Sequence, residues 1–533
     1  MKQLRKCTQD LNFLLQAKQE CIWINTYEEI NVISDILELC LNHYNDNVEN
    51  IYTWSIYEGL KKIIFTSNGI EYNHVQGTQN AVKMLNFIQK SQNSIEGSNN
   101  IFILKDLHSC LDNQGVLVRG IRDLKENKPD YYNPIIVISP VVNIPVEWEK
   151  IFDIMDYDLP DKDDINTIIN CSLEQFNKKQ NFIDLKEEEK EQLINNCIGL
   201  TQKEIISSFK KSIVKHNRII VDEIMNEKIQ LVKKSGVLSY SIPNCSINDI
   251  GGNYELKQWI KEMKDSMSDE AVEFGCQKPK GFLSIGIPGC SKTMFANAIA
   301  NDWNVPLLQL SMSKIMSKLV GESERKMAQA LKVAESCSPC VLLIDEIEKA
   351  LGGIQSSNKS DGGTTARAFE QLLQFLQKDN DVFVIMTSND ITQLPSELYR
   401  SERLEAVWYF SLPTYEERKE IYKIHLTKTG KEIDDDLIEF CANSSENYTG
   451  AEIAQSVKNG MRKAFKRYKE DGINELTSDD MVKAIKEVTP IYKVNKEQII
   501  YLENWAKGRA RYTNSVQKNT EHVNQSNNEL LKM

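Results

Sequence analysis

GIPGCSKT, Gly286 to Thr293, lies between an apolar run, Gly281 to Ile285, and a helix-like run, Met294 to Trp303. Strand, tight loop and helix in that order make a cradle. Small residues let backbone N–H groups turn inward, and the helix aims its positive end at the same point, so a phosphate is the ligand the cradle suits. In the Walker A, or P-loop, pattern G-x-x-x-x-G-K-[ST], Lys292 reaches the terminal phosphates and Thr293 offers its hydroxyl to Mg²⁺. Gly286, Ile287, Pro288, Gly289, Cys290 and Ser291 form the wall of the cradle. Ser291 departs from the pattern, because a glycine is expected before the lysine and a Cβ narrows the space beside the phosphates. Ser is compact and can donate a hydrogen bond itself, so weakened or altered binding is expected rather than none.

VLLIDE, Val341 to Glu346, is an apolar strand that delivers two acids at its end. Burying two acids needs a reason. In Walker B fashion, Asp345 can hold Mg²⁺ through water, and Glu346 can orient and deprotonate an attacking water, which is the division of labour that in-line phosphoryl transfer requires. A further apolar run, Val382 to Met386, ends in Thr387-Ser388-Asn389. Asn389 can bridge the water and the γ-phosphate, and alone it would be a turn residue.

The chain has 533 residues, 41% hydrophobic and 26% charged, which predicts two to four globular domains. No run approaches the roughly 18 apolar residues of a membrane span. The first residues mix charges with apolar side chains and lack a separate apolar core, so no signal peptide is expected. A formal charge of -12 argues against broad nucleic-acid binding. The basic stripe Arg462 to Lys469 and the Lys507, Arg509 and Arg511 cluster fit acidic protein neighbours better. The 12 cysteines are scattered in a chain large enough to fold without staples, which favours a reducing compartment. Cys337 and Cys340 form a CxxC that leads into an apolar strand with no second ligand pair, so core packing is expected there.

Residues 1–161 show short apolar runs, Cys21 to Ile24, Ile51 to Trp54, Ile101 to Leu104 and Ile135 to Ser139, spaced by helix-like segments; a parallel sheet with helices on its faces follows. After the first run come Thr26, Tyr27, Glu28 and Glu29, with no glycine or lysine for a cradle, and Lys105 holds the place of a Mg²⁺-binding acid. Two readings stand equally: a vestigial ATPase-like lobe, or an unrelated α/β domain. Residues 162–234 suit a helical subdomain, 235–248 a linker of turn formers, 249–413 a second lobe of five parallel strands, 414–490 a helical lid, and 491–533 a helix and a disordered tail.

Taken in order, DIGG at Asp249 to Gly252, the loop, VGESE at Val320 to Glu324, the acidic strand and SELYRSER at Ser396 to Arg403 resemble the AAA family of ATPases. KPKGFLSIGIPGCSKT, DEIEKAL, GGTTARAFEQLLQFLQ and WAKGRAR, with WINTYEE and FILKDLH in the first lobe, narrow the resemblance to two-lobed AAA proteins encoded in cyanobacteria and some algal plastid genomes. The resemblance implies an α/β fold: a five-stranded parallel αβα sandwich with a helical lid, preceded by a degenerate ATPase-like lobe. It implies ATP and Mg²⁺ as cofactors and a homo-oligomeric ring, a hexamer by family analogy. It also implies an unidentified protein partner recruited by the first lobe, and a soluble protein of the plastid stroma if organelle-encoded, otherwise of the bacterial cytoplasm. Gly251 would pack near adenine, and Gly450 and Ala451 near ribose and base, unless the latter are an ordinary helix start. Arg403 aligns with the arginine that crosses to a neighbour's γ-phosphate; Arg400 lies nearby, and Arg367 faces either a neighbour or solvent. Ala406 in place of a second trans arginine predicts slow turnover. Leu319 in place of a pore aromatic argues against threading. The implied activity is ATP hydrolysis that remodels a partner; a weakly hydrolysing ATP-sensing scaffold is the alternative.

Overall fold

The computed structural model describes residues 5–43, 48–66, 69–92, 99–111, 115–126, 132–177, 185–315, 322–349, 364–399, 402–431, 434–472 and 474–514. Leu319, Val320, Arg400, Gly362, Gly363 and the tail beyond Asn514 lie outside them. The chain forms two units, Met1–Ile219 and Ile220–Met533.

In the first unit, each apolar run named above becomes a strand: β1 (Cys21–Asn25), β2 (Asn50–Ser55), β5 (Asn100–Lys105) and β6 (Ile135–Ser139), with β3 (Gly59–Thr66), β4 (Gly69–His74) and β7 (Asp153–Asp156) beside them. The order is β4-β3-β2-β5-β6-β1-β7. The expected parallel sheet is therefore mixed. β3 and β4 pair antiparallel at one edge, because the lysines and turn residues of Gly59 to His74 suit a half-solvated hairpin. Apolar residues alternate across the central strands, Cys21 and Trp23 facing one core layer and Ile22 and Ile24 the other. Both faces are covered, which is why these strands read as continuous apolar runs. Helices Lys162–Asn177, Glu187–Cys197 and Gln202–His216 follow.

The second unit opens with a helix, Val221–Ser235, whose Val232 is buried in this unit's core. The stretch read as a linker then supplies β8 (Leu238–Ser241), which pairs antiparallel with β10 (Leu307–Leu310). The five expected strands are present and parallel: β9 (Gly281–Gly286), β10, β11 (Cys340–Ile344), β12 (Val382–Ser388) and β13 (Ala406–Phe410). A seventh, β14 (Arg511–Tyr512), lies beside β13, giving the order β14-β13-β9-β12-β11-β10-β8. The residues after β14 continue the stitching. Thr513 donates its N–H to the Tyr409 carbonyl at 3.3 Å and accepts that of Glu255 at 3.2 Å. Asn514 Nδ2 donates to Ser411 Oγ at 2.8 Å and to Glu417 at 3.2 Å.

Four helices form the lid, Tyr415–Thr427, Asp435–Ser444, Gly450–Asp471 and Ser478–Glu487, around a core that includes Tyr422, Ile453 and Met481. Three of them begin with Thr at the N-cap and an acid three residues inside, at Thr414/Glu417, Thr449/Glu452 and Thr477/Asp480. Each such box satisfies backbone N–H groups that a helix start leaves open and contributes about 1 kcal/mol. Cys337 and Cys340 are both 1% exposed within the core, where they pack as small apolar side chains. The basic stripe is partly neutralised within the lid: Lys463 pairs with Glu487 at 2.5 Å and Arg467 with Asp480 at 2.9 Å.

Candidate functional site

β9 is buried along its whole length, and the helix Lys292–Asp302 behind the loop buries Phe295, Ala296, Ala298, Ile299 and Ala300. Strand and helix are thus held from both sides, and the loop between them has little freedom. Gly289, at φ +85°, is required: a Cβ there would lie 3.0 Å from Thr449 Oγ1 and 3.2 Å from Ala451 Cβ. The side chains of Ile287 and Cys290 are buried in the core, leaving only their backbone to the cradle. Burial pushes the Cys290 thiol up to about 12. Ser291 sits in the left-handed region, φ 66° and ψ 10°, as the residue before the helix. The position that favours glycine is therefore occupied by a strained serine.

Lys292 is 7% exposed, and its Nζ donates to the carbonyls of Gly286 at 2.7 Å and Ile287 at 2.9 Å. Burial lowers its pKa to about 8, against the opposing pull of Cys290, Glu348, Asp345 and Glu346. Thr293 Oγ1 lies 3.3 and 3.4 Å from the two oxygens of Asp345. The loop and the acidic strand therefore meet.

Asp345 and Glu346 leave β11 side by side. Thr387, at the end of the adjacent β12, hydrogen-bonds the Asp345 carboxylate through its hydroxyl and accepts the Glu346 N–H at 2.9 Å. Glu346 takes a left-handed backbone, φ 52°, and its carboxylate pairs with Lys349 at 2.5 Å on the surface. Glu348 is instead buried. It is 6% exposed and accepts the Asn389 N–H at 3.0 Å. Glu348 Oε2 and Asn389 Oδ1 are buried without a hydrogen-bond partner among the described residues.

A cleft of about 390 Å³ runs between sandwich and lid, lined by Pro288, Gly289 and Ser291 to Met294, by Asp345, Glu346, Thr387 and Asn389, and by Asp249 to Gly251 opposite Ile421, Ile424, His425, Gly450 and Ala451. Gly450 starts a helix after the Thr449 cap, and Gly450 and Ala451 also line the cleft. An added Cβ at Gly450 would lie 3.7 Å from Gly289 O and Ser291 Oγ, ordinary contact, so a methyl fits there and only larger groups collide. Ala451 N donates to Gly289 O at 3.1 Å, which ties lid to loop. Motif reading missed Thr387, Ile424 and His425, which line the cleft, and Glu348, which holds the Asn389 N–H behind it. Thr387, two residues before Asn389, was visible near a strand end, whereas His425 enters only through the packing of the lid. Burial, with Lys428 and Lys458, lowers the His425 pKa and so favours the neutral ring.

Arg403 does not line this cleft. Its Nη1 donates to the Glu397 carbonyl at 2.8 Å, and its Nε is buried without a partner among the described residues. Arg367 pairs with Glu324 at 2.5 Å, and Ala406 is buried at the start of β13.

Residues 282–412 match the ATPase family associated with various cellular activities (AAA). Residues 7–157 and 163–235 match the N-terminal and second domains of SpoVK-like AAA ATPases. The AAA domain-containing protein ycf46 of Pyropia yezoensis is 35% identical over 516 residues, 95% of this chain and 98% of the relative. Its namesake in Guillardia theta is 32% identical over 502 residues, 93% and 94%. The human ATPase family gene 2 protein homolog A is 32% identical over 225 residues, 40% of this chain and 25% of the relative. The crystal structure of the FIGL-1 AAA domain is 25% identical, with a TM-score of 0.45, over 53% of this chain and 95% of that one. No described helix is long and apolar enough to cross a membrane. With 35% identity along nearly the full length of a ycf46 protein and a matching AAA core, this chain belongs to the AAA family of ATPases, among its two-lobed ycf46-type members.

Proposed function

We propose that the second unit binds ATP in the cleft between sandwich and lid and hydrolyses it, and that the resulting motion of lid against sandwich remodels a protein partner recruited by the first unit. One observation carries the reading: Lys292, Thr293, Asp345, Glu346 and Asn389, far apart in sequence, line one cleft. The donor set fits the nucleotide. Among the described residues, Lys292 Nζ has only loop carbonyls to exchange for phosphate oxygens, and Asn389 Oδ1 is a buried acceptor in need of a donor such as water. Thr293 and Asp345 are the pair that would hold magnesium. When bound, that ion neutralises phosphate charge.

In this scheme Lys292 holds the terminal phosphates, Gly289 and Ser291 offer backbone N–H groups, and Gly251, Ile421 and Ala451 enclose the base and ribose. Asn389 orients the attacking water, and Glu346 accepts its proton as the water oxygen bonds to the γ-phosphorus and the bond to ADP breaks. Arg403, outside its own cleft, serves a neighbour's, which makes a closed homo-oligomeric ring the working form. The pairing of Glu346 with Lys349 and the serine at 291 favour slow turnover, and so lend weight to a second reading as an ATP-sensing scaffold. A stromal or bacterial cytoplasmic setting fits the plastid-type relatives, and the overall acidity speaks against nucleic acid as the partner.

Phosphate release by the purified protein and by Glu346→Gln tests the reading. Release by the former, with retained ATP binding and no release by the latter, is the expected result. Equal background release from both would leave only the sensor.

A further inference from the structure

The two units share more than a fold class. Taken in sequence order, the five parallel strands of the first unit are β1, β2, β5, β6 and β7, and those of the second are β9, β10, β11, β12 and β13. In both sheets the spatial order is fifth, first, fourth, third, second, the β3-β4 hairpin being an insertion after the second strand. The match extends to details that no shared topology requires. Asp106, just past β5, takes the left-handed backbone (φ 50°) that Glu346 takes past β11 (φ 52°), and Lys105 stands in the place of Asp345. Thr201 and Glu204 form the same capping box ahead of Gln202–His216 that Thr449 and Glu452 form ahead of Gly450–Asp471.

These equivalences locate the first unit's counterpart of the cradle at Thr26 to Glu28, between β1 and the helix Glu29–His43. A carboxylate fills it. Glu28 is 6% exposed; one oxygen accepts the Gln202 backbone N–H at 2.6 Å and the other accepts from Asn31 Nδ2 at 2.5 Å. The Gln202 N–H lies in the same first helical turn as the Ala451 N–H that donates to Gly289 O in the second unit, one position earlier, so both units tie the start of this helix to the cradle. Here the tie ends on a carboxylate; burial raises its pKa, while the Gln202 N–H at a helix N-terminus pulls the other way and favours the charged form. Beside it Glu29 pairs with Lys105 at 2.7 Å, so an acid and a cation face each other across the site with the signs exchanged.

We propose that the first unit is an ATPase module that carries its own anion: Glu28 occupies the place of a bound phosphate and locks sandwich to helices in one arrangement that no nucleotide changes. The first unit is then a fixed platform rather than a second motor. Hydrolysis in the second unit plays no part in this lock.

Hydrogen exchange of the full chain, followed by mass spectrometry with and without ATP, Mg²⁺ and a non-hydrolysable analogue, tests it. In the unmodified protein, residues 26–32 and 199–206 should exchange slowly and identically in all conditions. In Glu28→Gln and Glu28→Ala, exchange at 199–206 should rise about tenfold or more, as expected when a buried charged acceptor is lost. Nucleotide-dependent protection at 26–32, or unchanged exchange in the soluble Glu28→Gln protein, overturns the proposal. Protection at 286–293 reports nucleotide binding to the second unit separately, so its absence would count against the proposed function and not against the lock.

Discussion

The hydroxyl of Thr387 holds the Asp345 carboxylate from the neighbouring strand, and the same oxygen accepts the N–H of Glu346. One side chain therefore sets both acids of the site. Thr387→Val keeps the shape and removes both hydrogen bonds, leaving a partly buried N–H unsatisfied at a cost of about 1–3 kcal/mol. Phosphate release should fall about tenfold or more with a smaller change in ATP affinity, and Thr387→Ser should restore most of it. Steady-state kinetics beside equilibrium ATP binding separates the two effects.

Ser291 has the backbone of a glycine position, φ 66°. Relieving that conformation in Ser291→Gly should stabilise the protein by about 1 kcal/mol, the cost of a left-handed non-glycine residue less the added freedom of the unfolded chain. A rise in thermal midpoint is the readout. A lower midpoint would mean that the serine hydroxyl does more for the loop than its backbone costs.

Lys292 in the nucleotide-free protein titrates near 8, lowered by burial from 10.5. Phosphate oxygens favour the ammonium and raise that pKa again. Above pH 8 binding must therefore take up a proton, and ATP affinity should fall by up to about tenfold per pH unit between 8 and 10.5. Folding runs the other way: the fold disfavours the charged lysine, so this group's contribution to stability improves as pH rises from 8 to 10.5. Calorimetry in two buffers of different ionisation enthalpy measures the proton uptake directly.

A Cβ on Gly251 would stand 2.7 Å from Ile421 Cγ1 and 2.9 Å from the Ile421 backbone nitrogen. Backbone cannot step aside as a side chain can, so Gly251→Ala must shift the helix Tyr415–Thr427 away from the cleft. ATP binding should weaken about tenfold, equivalent to about 1.4 kcal/mol. Gly450→Ala, whose added carbon meets only ordinary contacts, should change it far less.

Arg403 lies outside its own cleft. If it completes a neighbour's, Arg403→Ala should lose hydrolysis while retaining ATP binding, and mixing it with Lys292→Ala protein should recover some activity. Absence of recovery at every mixing ratio would count against a shared site.

Much of this was legible because it is local. A cradle, a lysine and a hydroxyl occupy eight consecutive positions, and an apolar strand that ends in two acids is conspicuous wherever it stands. Five strands of the second sheet announced themselves as apolar runs because both faces are buried. β8 and β14 did not, since Leu238–Ser241 and Arg511–Tyr512 are short edge strands with half their surface in water. Their pairing depends on register with residues far along the chain, which no local pattern encodes. Thr387, His425 and Glu348 were missed for the same reason: their roles arise from neighbours that packing supplies. The shared strand order of the two sheets was not legible from residues, because Thr26 to Glu28 and Lys105 carry none of the cradle's chemistry and strand order is set by pairings far along the chain.

β14 and the two residues after it also bear on biogenesis. As the polypeptide emerges from a ribosome, the edge beside Trp408 and Tyr409 stays open until Arg511 and Tyr512 have cleared the exit tunnel. Nascent β13 is therefore exposed to strand exchange with another growing copy throughout synthesis of the lid. Ribosome-bound chains arrested before Arg511 should be the ones that a chaperone holds.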